Sequence, residues 1–147
     1  ELYITACYAI IDVENNQLNW CNAGHAPPLL RVENRIMELP ASGPALGMFA
    51  ESTYITNTAS WQPSDFLLLY TDGLTDAIKT SENDEDKLQM MWKELIEEPT
   101  LTAQEVVDVL LGEARAALAN GASSGKTGTS NSGPHRDDIT LLLAKRP

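Results

Sequence analysis

Basic residues are scarce in this 147-residue chain: 10 Lys and Arg stand against 21 Asp and Glu, a formal charge of −11. So acidic a surface repels the phosphates of nucleic acid and the headgroups of anionic membranes. Apolar runs are short. None approaches the length that crosses a bilayer, and no basic-then-apolar stretch reads as a secretion signal. No nucleic-acid partner and no membrane segment are therefore expected. Cysteine is limited to Cys7 and Cys21, both in strand-like runs, with no second pair or histidine at zinc-site spacing. Buried thiols in a reducing compartment, the cytoplasm, are the expectation. No internal repeat is present.

With 43% apolar residues, the chain has the material for one packed domain rather than two. Leu2–Asp12 and Leu18–Asn22 are strand-like and flank Glu14-Asn15-Asn16-Gln17, a turn by composition. Leu29–Val32 and Ile36–Leu39 flank Glu33-Asn34-Arg35 as a second hairpin. Pro40 to Gly47 is a Pro/Gly-rich loop, and Thr53–Thr58 is β-prone. The first half thus reads as an antiparallel meander. Beyond Asp72 the period becomes helical. Leu88, Met91, Trp92, Leu95 and Ile96 share a helical face as packing residues, and Pro99 closes that segment. Thr102 and Glu105 form a capping box for a second helix, with Val107, Leu110, Leu111, Ala114 and Leu118 on one face. The acidic run Glu82 to Asp86 is a solvated helix start. Asn120 to Pro134 has the composition of a flexible loop. The fold class is α+β: helices on a mainly antiparallel sheet.

Two stretches carry candidate chemistry. Phe66–Tyr70, bounded by Pro63-Ser64-Asp65, is apolar without alternation, the mark of a strand covered on both faces, and it ends in Thr71-Asp72-Gly73. Asp137-Asp138 precedes Ile139–Ala144, a second apolar run. An Asp-Gly pair ends many strands as an ordinary turn. Two interior strands with aspartate at their tips can also bring Asp72 and Asp137 together, offering the oxygen ligands that Mg²⁺ or Mn²⁺ prefer.

Three signatures stand in order: Asn22-Ala23-Gly24-His25-Ala26-Pro27-Pro28, Tyr70-Thr71-Asp72-Gly73-Leu74-Thr75-Asp76, and Asp137-Asp138-Ile139-Thr140-Leu141-Leu142. Together they resemble the SpoIIE/RsbU-type branch of the bacterial metal-dependent (PPM) serine/threonine phosphatases. Gln17-Leu18-Asn19 and Gly43-Pro44-Ala45-Leu46-Gly47 add to the likeness. The resemblance implies a β-sandwich with flanking helices and two Mg²⁺ or Mn²⁺ ions at one edge. By matching motifs, it implies Asp72 and Asp137 as metal ligands. Gly73, Asp76, Asp138 and His25 are the residues beside them: Asp76 matches a position that helps hold a looser third metal, and Asp138 a supporting or strand-capping one. His25 stands where some relatives have aspartate, and reads as a turn-packing histidine rather than a ligand. His135 reads as a bystander. The implied chemistry is attack by metal-activated water on phosphoserine or phosphothreonine. No cysteine sits in a phosphate-cradling loop of the kind thiolate phosphatases use.

The resemblance also implies an earlier strand pair with an Asp-Gly motif and a bridging acid, which has no counterpart here. Residues 1–147 therefore read as the C-terminal portion of such a phosphatase domain, within a longer parent chain. The implied partners are a small regulatory phosphoprotein, such as an anti-sigma-factor antagonist, and an N-terminal sensor or regulatory domain. An uncovered sheet edge predicts a homo-oligomer for the fragment. The rival reading is a non-catalytic module that keeps the fold without a competent metal site.

Overall fold

The computed structural model describes residues 2–33, 35–79, 87–97, 100–123 and 137–147. Their elements run β1 (Ala6–Asp12), β2 (Gln17–Ala23), β3 (Leu29–Val32), β4 (Arg35–Glu38), β5 (Asn57–Ser60), β6 (Phe66–Tyr70), α1 (Asp72–Ile78), α2 (Lys87–Glu97), α3 (Ala103–Ser123) and β7 (Leu141–Lys145). The chain divides into two compact units, 1–69 with 143–147, and 70–142, so the division falls within β6 and within β7.

The first unit is a sandwich of antiparallel strands. One sheet has the order β1-β2-β5 and the other β4-β3-β6-β7. The expected meander is thereby corrected. The hairpins β1–β2 and β3–β4 form as the turns dictate, but β5 returns to pair with β2, and β6 pairs with β3. Burial decides this. Along β2, Leu18, Trp20 and Asn22 are buried while Asn19 and Cys21 are half-buried, which is the period of two that one covered face requires. Leu18 and Trp20 meet Leu30, Leu39, Trp61 and Leu67 in one core, so strands of both sheets contribute. The β-prone stretch begins later than predicted, at Asn57, and β1 begins at Ala6 rather than Leu2.

β6 is buried at four of its five positions, as its unbroken apolar run predicts. At its start, Ser64 N–H donates to the Arg146 carbonyl and Arg146 N–H to the Asp65 carbonyl. At its end, Thr71 N–H donates to the Thr140 carbonyl. β6 and β7 are therefore antiparallel neighbours. β7 is shifted two residues beyond the expected start and is half-buried rather than buried.

The thiols of Cys7 and Cys21 are free and half-buried, not fully buried. Pairing of Cys7 with Asn22 and of Tyr8 with Cys21 puts the two sulfurs on opposite faces of the sheet. Burial, and secondarily the Cys21 thiol, pushes the Cys7 thiol above its ordinary pKa.

In the second unit α1 packs on α3 and on α2. No helical period announces α1 in the sequence; its Leu74, Ala77 and Ile78 are buried. Two turns are too short to be stable from local propensity, so packing supplies what the sequence does not advertise. α2 buries Leu88 and Trp92. α3 buries Leu110 and Ala114 of the predicted stripe together with Val106, which lies outside it, while Val107, Leu111 and Leu118 are half-buried. The capping box forms: Glu105 N–H donates to Thr102 Oγ1, and Thr102 N–H donates to Glu105 Oε2 at 2.8 Å. α3 continues to Ser123, so the predicted loop starts later than Asn120. The acidic run 82–86, residues 124–136 and His135 lie outside the described residues.

Candidate functional site

The candidate aspartates lie in the second unit. Asp72 is the first residue of α1 and exposed; its Oδ1 accepts the Gly73 N–H at 3.0 Å. The expected turn at Asp72-Gly73 is instead a helix start, where negative charge is favoured. Asp76, also exposed, is one helical turn further on. Asp137 and Asp138 are exposed in the segment that leads into β7.

Two features bring Asp72 and Asp137 onto adjoining stretches of chain. Gly73 is buried, and a Cβ placed there would stand 2.6 Å from the Asp138 carbonyl oxygen and 3.0 Å from that of Asp137. Only the missing side chain lets the start of α1 lie so close to the 137–138 backbone. Thr71 supplies the second: its hydroxyl donates to the Asp138 carbonyl at 2.8 Å and accepts the Thr140 N–H at 3.0 Å. Residues almost seventy positions apart are thus joined beside both aspartates. The sequence pattern assigns Thr71 no role in the site. Its position just before a helix signals capping, which is not what it does.

The donors at this edge are carboxylate and carbonyl oxygens, the kind hard divalent cations take. Among the described residues, no three His, Cys, Asp or Glu side chains converge as a ligand set. In kind, these oxygens suit a divalent cation.

His25 belongs to the first unit, in the corner after β2. Its N–H donates to Asn22 Oδ1 at 2.8 Å, its carbonyl accepts from Asn22 Nδ2 at 3.1 Å, and its Nδ1 is 3.1 Å from Thr5 Oγ1. Asn22 also donates to the Leu39 carbonyl and is wholly buried. Gly24, at φ +69° with Ala45 N 3.0 Å from a would-be Cβ, completes the corner. His25 is thus a turn residue, held within its own corner.

This arrangement of sheets and helices is the fold of PP2C-type phosphatase domains. The phosphatase domain of the cell fate determinant SpoIIE from Bacillus subtilis, from a crystal presoaked with Mn, superposes with a TM-score of 0.65 at 21% identity. The superposition covers 97% of this chain and 56% of that one. The sequence pattern of the family described as Stage II sporulation protein E (SpoIIE) matches residues 1–147, and the chain belongs to this family. It is similar to Protein IcfG of Synechocystis sp., 38% identical over 77 residues, or 52% of this chain and 12% of that protein. It is also similar to Phosphoserine phosphatase RsbP of Bacillus subtilis, 36% identical over 75 residues, or 50% of this chain and 19% of that protein. The matched stretches thus span less than a fifth of either relative's length. Among the described residues no helix is long and apolar enough to cross a membrane.

Proposed function

We propose that this chain is the C-terminal portion of a divalent-metal-dependent protein phosphatase that hydrolyses phosphoserine or phosphothreonine on a regulatory phosphoprotein. The observation that carries the reading is the adjoining placement of the Asp72 and Asp137–Asp138 segments through Gly73 and Thr71. Family membership and the likeness to a phosphoserine phosphatase support it.

In this reading Asp72 and Asp137 are the residues that would hold Mn²⁺ or Mg²⁺. Asp76 and Asp138 add negative charge beside them, which favours the binding of a cation. Bound there, such ions would supply an activated water and would offset charge on the phosphoryl oxygens. Asp72 begins a helix packed against two others, and a ligand carried on a braced element keeps its place while the substrate is exchanged. Exposure of both aspartates leaves the edge open to a phosphorylated loop of another protein. The substrate class is a small regulator of the anti-sigma-factor-antagonist kind, controlled through a sensor or regulatory domain elsewhere in the parent chain.

The test is Mn²⁺- and Mg²⁺-dependent release of phosphate from phosphoserine proteins by the full-length protein. Asp72→Asn and Asp137→Asn should each remove most of the activity, and because both side chains are exposed, stability should move by less than about 0.5 kcal/mol. A full-length protein inactive with both ions on several phosphoproteins, or two harmless substitutions, would replace this reading with a partner-binding module.

A further inference from the structure

Thr71 occupies the N-cap position of α1, where a threonine hydroxyl ordinarily accepts an N–H from the first helical turn. Its backbone is extended, φ −89° and ψ 157°, as a cap requires, yet its side chain makes no capping bond. The hydroxyl is committed across the chain instead, to the Asp138 carbonyl and the Thr140 N–H, and the Thr71 N–H joins the Thr140 carbonyl at 3.1 Å. One residue therefore makes three hydrogen bonds to segment 138–140. α1 forgoes the capping bond its own N-cap could supply, and Asp72 Oδ1 takes the Gly73 N–H. A helix start that gives up its cap to hold a distant segment needs a reason beyond helix stability.

We propose that the Thr71 hydroxyl is a positioning group for the metal site: it sets the register of the Asp137–Asp138 segment against Asp72, so that metal affinity depends on a hydroxyl that touches no ion. The inference rests on the reading of Asp72 and Asp137 as ligands. The physical reason is that the two carboxylates stand on segments joined only by tertiary contacts. Any slip between the segments changes the separation of the ligands, and a hard cation is sensitive to where its oxygens are held. Gly73 permits the close approach; Thr71 selects the register within it. A hydroxyl suits the task because it donates and accepts at once, and so grips a carbonyl and an N–H two residues apart.

The experiment uses the full-length protein with Thr71→Val, which keeps the shape and loses the hydroxyl, and Thr71→Ser, which keeps the hydroxyl. Mn²⁺ affinity is read without substrate from the electron paramagnetic resonance signal of the free ion. Hydrogen–deuterium exchange is followed in a peptide containing Thr140, and thermal unfolding is recorded alongside. The expected result is Mn²⁺ binding weakened on the order of tenfold or more in Thr71→Val, with faster exchange at Thr140. Thr71→Ser should restore both to the native values. If valine prevents folding, Thr71→Ala carries the same comparison. Native Mn²⁺ affinity in the hydroxyl-free variant overturns the proposal, as does a serine variant as weak as the valine one. Loss of Mn²⁺ binding in Asp72→Asn and Asp137→Asn but not in Thr71→Val overturns this inference alone. No Mn²⁺ binding by the native protein overturns the metal-site reading and this inference together.

Discussion

Gly73 and Gly112 should respond to the same substitution with opposite signs. Both lie in helices, where replacing glycine by alanine restricts the unfolded chain and stabilises by about 0.5–1 kcal/mol when the new methyl meets nothing. Gly112, exposed in the middle of α3, has no atom within 4 Å of where an added methyl would lie, so Gly112→Ala should realise that gain. At Gly73 the methyl would fall 2.6 Å from the Asp138 carbonyl oxygen, 3.0 Å from that of Asp137 and 3.1 Å from the Asp138 carbonyl carbon. All three are backbone atoms, tied by the Thr71 bonds, and cannot swing aside as a side-chain tip would. Relief requires the segment to retreat by several tenths of an ångström, and overpacking of this kind costs about 1–3 kcal/mol. Set against a helix gain of under about 1 kcal/mol, Gly73→Ala should be destabilising by about 1–2 kcal/mol. For a chain of this size, that is a midpoint about 3–7 °C lower, against a rise of about 2–4 °C for Gly112→Ala. Thermal and urea unfolding of both variants, followed by circular dichroism, measures the two signs. A Gly73→Ala protein as stable as the native one would refute the close approach on which the candidate site depends.

The remaining predictions concern the first unit. Asn22→Ala removes a wholly buried amide that holds His25 N–H, the His25 carbonyl and the Leu39 carbonyl, and should cost about 2–3 kcal/mol in urea unfolding. A shift below about 0.5 kcal/mol would mean that the corner is held by its backbone alone. Asp12 accepts the Asn15 side-chain amide at 2.8 Å and the Asn15 N–H at 2.9 Å, bonds that hold its carboxyl below its usual pKa of 3.8. Because the folded pKa is depressed, this turn contributes stability above pH 3.8 and loses it as the pH falls through the folded value. An NMR titration should place Asp12 below 3.8, and Asn15→Ala should raise it; an unmoved Asp12 would contradict the assignment of the cause.

Features that chain neighbours alone can organise are legible in the sequence. Thr102 and Glu105 are three apart, so their reciprocal capping is settled within one turn, and it forms as expected. The turn predicted at 14–17 and the apolar run of β6 are equally local; the run stands where the pattern puts it, and the turn lies one residue earlier, at 13–16, with Gln17 already in β2. The aspartates at the tips of two apolar runs are visible as well, because a run of strand length and its final residue are read from a few positions.

Which strand lies beside which, and what holds two distant segments in register, is not written locally. Asn57–Ser60 carries no mark of pairing with β2 rather than β4; that choice follows from burying Leu18 and Trp20 against residues of the other sheet. α1 is two turns long and helical through packing, so no periodicity announces it. Thr71 shows the limit most clearly. By sequence it stands only at the end of an apolar run, and only the folded chain brings Asp138 and Thr140 within reach of its hydroxyl. Composition and periodicity marked the strand-forming runs, the two longer helices and the aspartates at two strand tips, because those depend on near neighbours and water. The pairing of the sheets and the joining of the Asp72 and Asp137 segments came from tertiary structure, because burial and hydrogen bonds between distant residues have no local signature.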